Sequence, residues 1–201
     1  MCASDVETTR TTPTYPGEAT EEDNLMRDLI VTQNITVDGV IGAGDWFGPA
    51  DGGPDVLEAV REQSARADAF LTGRHTFEDM RDFWPKQTDD TTGITAYLNQ
   101  VHKYVVSTTL QEPGWEPTTV LRGLDDVRKL KEADGRDIVC TGSIQLTHQL
   151  IAADLVDEYR LFVYPTVVGS GRRLFVDGTP HKLRLTTSRA FAGGVVLLTY
   201  R

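Results

Sequence analysis

The sequence predicts a single α/β domain built on a mixed sheet, and three observations carry that expectation. From Arg27 to Ala153, short β-rich runs alternate with amphipathic helical stretches. After Ala153, three strand-like runs follow with no long helix between them. A chain of 201 residues also suffices for one sizeable core. Alternation first gives parallel strands joined by helices, and the closing run of strands gives an antiparallel edge. Hydrophobic residues at 39% and charged residues at 25% are ordinary for a globular domain.

The elements follow in chain order. Residues 1–25 are rich in Thr, Glu, Asp and Pro, with almost no aliphatic side chains. Such a segment cannot bury enough surface to offset its ordering entropy, so it is expected to be a disordered tail, with the domain spanning 26–201. Leu29–Ile35 is β-rich and ends at the Asp38-Gly39 turn signal, and a Gly-rich loop runs from Gly42 to Gly53. Pro54 opens a helix with Val56, Leu57 and Val60 on one face. Ala69–Thr72 reads as a strand and Arg74–Arg81 as a helix stopped near Phe83-Trp84-Pro85. Tyr104–Ser107 and Val120–Leu121 read as strands, Asp125–Ala133 as a helix, Asp137–Thr141 as a strand and Ser143–Ala153 as a helix. Glu158–Pro165, Lys182–Ala190 and Val195–Tyr200 close the chain as strands, the last two joined through Ala192-Gly193-Gly194.

Composition narrows the function classes. A formal net charge of −10 repels phosphate backbones and argues against nucleic-acid binding, while a local basic site can still hold an anionic cofactor. Cys2 and Cys140 form no C-x-x-C pair, so neither a zinc knuckle nor a disulfide framework is indicated; Cys140 reads as a small buried residue in an apolar strand. No apolar run reaches the length of a membrane span and no apolar signal core opens the chain, so a cytoplasmic, non-membrane protein is expected. The four histidines are scattered, with no H-E-x-x-H pattern, and the zinc-deaminase, P-loop and nucleophile-elbow signatures are absent. No metal site is expected.

The most informative segment is Leu71-Thr72-Gly73-Arg74-His75-Thr76-Phe77-Glu78. A short apolar strand leads into Gly73, which lets backbone approach a ligand. Arg74 then opens a helix whose free N–H groups and positive dipole end favour a phosphate. Arginine adds a cationic fork suited to the same group. A capped helix with a solvated arginine would leave the same trace.

Gly73-Arg74-His75-Thr76-Phe77-Glu78 resembles the Gly-Arg-x-Thr-aromatic-Glu segment of dihydrofolate reductases. Three further stretches fit that family in order. Val37–Gly42 is similar to its first strand and the loop covering the nicotinamide. Val105–Thr109 looks like the strand and turn beside the adenosine 2′-phosphate. Val139–Ile144 looks like the late strand, glycine turn and helix at the pyrophosphate and nicotinamide ribose. Leu155–Leu161, Pro165 and Val168–Phe175 are similar to the reductase domain of riboflavin biosynthesis and its stand-alone relatives. The resemblance implies a dihydrofolate-reductase-like three-layer α/β/α fold with a mostly parallel mixed sheet, and NADPH as cofactor. It places Arg74 at the 2′-phosphate, Thr76 at the pyrophosphate, Ser107 and Thr108 near the adenosine, and Gly142, Ser143 and Ile144 along the pyrophosphate and ribose. It further implies a homodimer that reduces a pterin or ribosylaminopyrimidine. Thr141-Gly142 stands where dihydrofolate reductases usually carry two glycines.

The substrate side offers candidates only. Family members that reduce dihydrofolate place a carboxylate on the helix after the first loop, so Asp55 is the candidate acid, with Asp45 and Asp51 as others; a carboxylate at a helix start also simply matches the dipole. Trp46 and Phe47 could stack on a planar ring, and Gly169 with Arg172 could bind an anion. The expected activity is hydride transfer from NADPH to a small heterocyclic, carbonyl or imine substrate. The rivals are a nucleotide-binding domain without turnover and a flavin-binding oxidoreductase, for which no motif stands out.

Overall fold

The computed structural model describes residues 26–42, 44, 46–48, 52–176 and 180–201; the expected tail at 1–25 and the candidates Asp45 and Asp51 lie outside them. Leu29–Thr36 (β1) sits at the centre, and its first three residues are apolar on both faces. Leu29, Ile30 and Val31 are fully buried between two parallel neighbours, Asp137–Thr141 (β6) and Glu158–Tyr164 (β7). Beyond β6 lie Ala67–Gly73 (β3), His102–Val106 (β4) and Thr118–Leu121 (β5), all parallel. Beyond β7, Val196–Tyr200 (β10) and Leu185–Ala190 (β9) run antiparallel, giving the order β5-β4-β3-β6-β1-β7-β10-β9.

Helices cover both faces. Leu124–Glu132 (α4) and Ile144–Ala152 (α5) pack Val127, Leu130, Leu146 and Leu150 against Leu29, Val31, Leu71, Ile138 and Cys140. On the other face, Gly53–Arg66 (α1) packs Val56 and Ala59 on Phe162 and Tyr164. Arg74–Phe83 (α2) and Ile94–Gln100 (α3) bring Phe77 and Leu98 to Phe70 and Val105. The fold is the expected three-layer α/β/α arrangement with a mostly parallel sheet and an antiparallel C-terminal edge.

Several local expectations need adjusting. The helix α3 is not anticipated by the sequence, nor are the two-residue strands Val40–Ile41 (β2) and Arg172–Arg173 (β8). These two pair with each other beside β1. The strand expected over Lys182–Ala190 forms only from Leu185, because that is where pairing with β10 begins. Cys140 is buried in β6 as expected, and burial pushes its thiol up to about 12.

Lys103 is a buried charge with a consequence for stability. It has no exposed surface. Its Nζ donates to the Leu98 and Val101 carbonyls at 2.7 and 2.9 Å, at the C-terminus of α3, and lies 4.7 Å from the centre of the Trp115 ring. Burial pushes its pKa down to about 8, against the opposing pull of Glu116. An unfolded lysine keeps its proton to about pH 10.4, so above pH 8 the unfolded chain binds more protons and stability rises with pH. Cys140 opposes this above about pH 9, where the unfolded thiol ionises and the buried one does not. Urea midpoints are therefore expected to rise between about pH 8 and 9, to level off above, and to fall beyond about pH 10, where unfolded Tyr97 and Tyr159 ionise and the buried ones do not. The Lys103→Met protein should lack that rise; parallel pH profiles for the two proteins would place the effect elsewhere.

Candidate functional site

The chain leaves neighbouring strands β3 and β6 on opposite faces of the sheet, through α2 after β3 and α5 after β6. Such a divergence opens a crevice at the carboxyl ends of the strands. A cavity of about 890 Å³ lies there, in the size range of small-molecule sites. Its walls include Gly73, Arg74, Thr76, Ser107, Thr108, Gly142, Ser143, Ile144 and Arg172. Every residue assigned from the sequence to the cofactor thus stands on one surface.

The two turns of this crevice are tied together. Gly142 and Ser143 are successive left-handed residues, with φ of 61° and 45°. A side chain at Gly142 would press to 3.1 Å from the Thr76 methyl group, so glycine is required there for space and for backbone conformation. The Ser143 hydroxyl accepts the Gly73 N–H at 2.9 Å and shares a hydrogen bond with the Thr72 hydroxyl at 2.8 Å. The Ser143 N–H donates in return to the Thr76 hydroxyl at 3.0 Å. These contacts lock the β3–α2 turn to the β6–α5 turn. Gln33, buried in β1, adds a further tie by donating from Nε2 to the Gly142 carbonyl at 2.8 Å.

The electrostatics suit an anion. Among the described residues, Arg74, Arg122 and Arg172 line the cavity against one carboxylate, Asp79. The helices α2 and α5 both begin at it without a side-chain cap and without an acidic residue in their first turns, whereas α1 and α4 carry Asp55 and Asp125–Asp126 there. The open N–H groups and dipole ends of α2 and α5 thus face the crevice unneutralised. Arg74 pairs with Glu78 one turn on, at 3.2 Å. Arg122 donates to the Ser107 and Leu110 carbonyls at 3.0 and 2.9 Å, which fixes its guanidinium at the wall. Ser107 itself is occupied in holding its turn, its hydroxyl accepting the Thr109 and Leu110 N–H groups. Arg122 and Gln33 are absent from the sequence-derived set. Neither left a distinct trace: Gln33 stands in a polar run, Thr32-Gln33-Asn34, and only the fold carries Arg122 to the cavity.

A second cavity of about 530 Å³ adjoins the first between α1 and α3, sharing Gln33, Asn34, Phe47, Met80 and Thr141 with it. The expected substrate residues mostly lie elsewhere, and three assignments are corrected by position. Asp55 lines neither cavity: its carboxylate accepts the Ala192 N–H at 2.8 Å and the Val56 N–H at 3.1 Å, tying the β9–β10 hairpin to the start of α1. The Ala192 N–H, ahead of opposing desolvation, holds its pKa below the usual carboxylate range. Trp46 packs on Phe47 and Tyr164, and it is Phe47 that reaches both cavities. Gly169 faces Asp38, its N–H donating to Oδ2 at 2.8 Å, while Arg172 alone of that loop reaches the cavity wall. Asp55→Asn is accordingly expected to lower the melting temperature and leave turnover unchanged. A general acid would instead cost about 10²–10⁴-fold in rate, and a loss of that size would restore Asp55 to the chemistry.

Among the described residues, no cluster of His, Cys, Asp and Glu could hold a metal ion, and no helix is long and apolar enough to cross a membrane.

Comparison with known proteins gives these features a family. The model of the RibD C-terminal domain matches residues 27–197. The Bacillus subtilis protein YyaP is 32% identical over 182 residues, covering 88% of this chain and 93% of that protein. A crystal structure of a putative riboflavin biosynthesis protein from Shewanella sp. PV-4 aligns with a TM-score of 0.64 at 20% identity, over 86% of this chain and 97% of that one. The diaminohydroxyphosphoribosylaminopyrimidine deaminase/5-amino-6-(5-phosphoribosylamino)uracil reductase of Thermotoga maritima aligns with a TM-score of 0.61 at 16% identity. That match covers 88% of this chain and 56% of the longer protein. With the family model spanning nearly the whole described domain and the crevice between β3 and β6 built from the same segments, the chain belongs to the RibD C-terminal domain family and has its dihydrofolate-reductase-like fold.

Proposed function

We propose that the protein is an NADPH-dependent reductase that transfers a hydride to a small heterocyclic, carbonyl or imine substrate. The observation that carries this reading is the crevice itself. Among the described residues, three arginines against one carboxylate and two uncapped, acid-free helix N-termini converge on one cavity, in a chain of net charge −10. That donor set fits a dinucleotide phosphate, and the glycine-backed turn at Gly142 leaves room for close backbone approach. When bound, NADPH supplies the hydride chemistry. Arg74 would hold the 2′-phosphate, with Arg122 as a second cation beside the Ser107 turn. Thr76, Gly142 and Ser143 would hold the pyrophosphate and ribose, and Phe47 with Gln33 would border the passage to the second cavity. A cytoplasmic location accompanies this reading, since a free buried thiol belongs to a reducing compartment. The outer edge of β9, exposed along its length, supports a homodimer.

A second reading, nucleotide binding without turnover, is favoured by one observation: among the described residues no carboxylate lines the second cavity. Following NADPH absorbance with a panel of pterins, aminopyrimidines, carbonyl compounds and imines separates the two. Substrate-dependent oxidation supports the reductase. Tight NADPH binding with no oxidation by any member of the panel supports the second reading.

A further inference from the structure

The cleft between α1 and α3 has a chemical character unlike the crevice beside it. Its walls are mainly Val56, Leu57, Val60, Met80, Trp84 and Ile94, over a floor of Phe70 and Val139. One cation and no carboxylate line it among the described residues. That cation, Arg61, is already engaged. Its Nε and Nη2 donate to the Thr92 carbonyl at 3.2 and 3.1 Å, and its Nη1 pairs with Glu58 at 3.3 Å. A phosphate placed in this cleft would lose hydration and meet one cation among apolar walls, against three arginines in the crevice beside it, a poor exchange for an ionised group. The cleft nonetheless holds an unmet polar group. Gln63 is 9% exposed, and its Oε1 has no hydrogen-bond partner; the buried Tyr97 hydroxyl on the facing helix is also unpartnered. A buried polar atom left without a partner costs about 1–3 kcal/mol, so a ligand that draws the Gln63 carboxamide into the cleft by side-chain rotation and supplies a partner gains what the empty cleft lacks. A carboxamide presents both a donor and an acceptor end, and a hydroxyl or ring amide can meet either.

We infer that this cleft takes an uncharged, mostly apolar planar ring with one hydrogen-bonding edge directed at Gln63, and that it disfavours phosphorylated compounds. The Thermotoga maritima relative is by contrast named for a phosphoribosyl substrate. The inference rests on the reductase reading for its consequence, since Gln33, Asn34 and Thr141 line both cavities and set such a ring beside the cofactor crevice. The occupancy of the cleft itself is separable from that reading.

The test uses the full chain with and without NADPH, and 2-naphthol and 2-naphthyl phosphate as matched probes, one ring carrying a hydroxyl and the other a phosphate. Calorimetry is expected to show 2-naphthol binding at least tenfold tighter than its phosphate ester. Gln63→Leu should weaken 2-naphthol by about tenfold, the equivalent of one hydrogen bond, while leaving naphthalene unaffected. Val60→Trp should fill the cleft and abolish binding of both ring compounds. Neither variant should alter NADPH affinity. Equal or tighter binding of the phosphate ester overturns the inference. So does the absence of 2-naphthol binding, or binding that both variants leave unchanged. If 2-naphthol behaves as expected and NADPH does not bind, the cleft assignment stands and the cofactor reading falls. If NADPH binds and 2-naphthol does not, the reverse holds.

Discussion

Arg74→Ala is expected to weaken NADPH binding by roughly 10- to 100-fold and to leave NADH nearly untouched, because a charge-assisted contact contributes about 1.5–3 kcal/mol and only NADPH carries the 2′-phosphate. The position of Arg74 supports this. A cation in the first turn of α2 opposes the helix dipole, so helix stability offers no reason for it, and its partner Glu78 only offsets the mismatch. Its side chain is 38% exposed, so the contact should also be screened, and high salt should weaken NADPH more than NADH in the parent protein. Titrating both cofactors against both proteins by calorimetry reads the effect. Equal losses for the two would move Arg74 to the shared pyrophosphate. No loss would leave it a solvated helix residue.

Ser143→Ala is expected to strike both stability and cofactor affinity. The hydroxyl that this change removes serves the Gly73 N–H and the fully buried Thr72 hydroxyl at once. Leaving a buried donor unmet costs about 1–3 kcal/mol. At about 2–4 °C per kcal/mol for a domain of this size, the melting temperature should fall by roughly 2–12 °C. NADPH and NADH should weaken together, in contrast to Arg74→Ala, because the turn serves the part that they share. Adding Thr72→Val removes the hydroxyl left with only its 3.3 Å bond to the Gly73 carbonyl, so the double variant should be less damaged than the sum of the single changes. Strict additivity would mean that the two hydroxyls do not cooperate.

The fold was legible where long-range structure repeats a local signal. The Leu29–Val31 run is apolar on both faces because it lies between two parallel strands, and the spacing of Leu146, Leu150 and Ile151 marks the face that α5 buries. What sequence reading missed is short or non-local. Two residues cannot show a period, so β2 and β8 were silent; their pairing depends on Asp38, which accepts from Thr36, Val168 and Gly169 across a long loop. The seven-residue α3 is held from outside by Asp90. Burial works against ionisation of that carboxyl, but donors from Thr92 and Thr95 outweigh it and hold the pKa at about 2.

The candidate site divides along the same line. Gly73, Arg74, Thr76 and Gly142 sit in contiguous strand–turn–helix segments whose physics is local, and the fold brings all four to one cavity. Asp55 was ambiguous in the sequence because an acid at a helix start looks the same whether it faces a ligand or ties down a hairpin. Only the Ala192 contact separates the two. Arg122 reaches the crevice through strand order alone, with β5 lying two strands from β3.

The central claim is that NADPH occupies the crevice between β3 and β6. Titrating NADPH into isotope-labelled protein, and following backbone amide resonances, tests it most directly. The account predicts saturable shifts concentrated at Gly73, Thr76, Ser107, Thr108, Gly142, Ser143 and Ile144, with a further shift at Arg74 that NADH reproduces only weakly. Saturable shifts that spare the turns after β3 and β6, or no shifts at saturating NADPH, would contradict it.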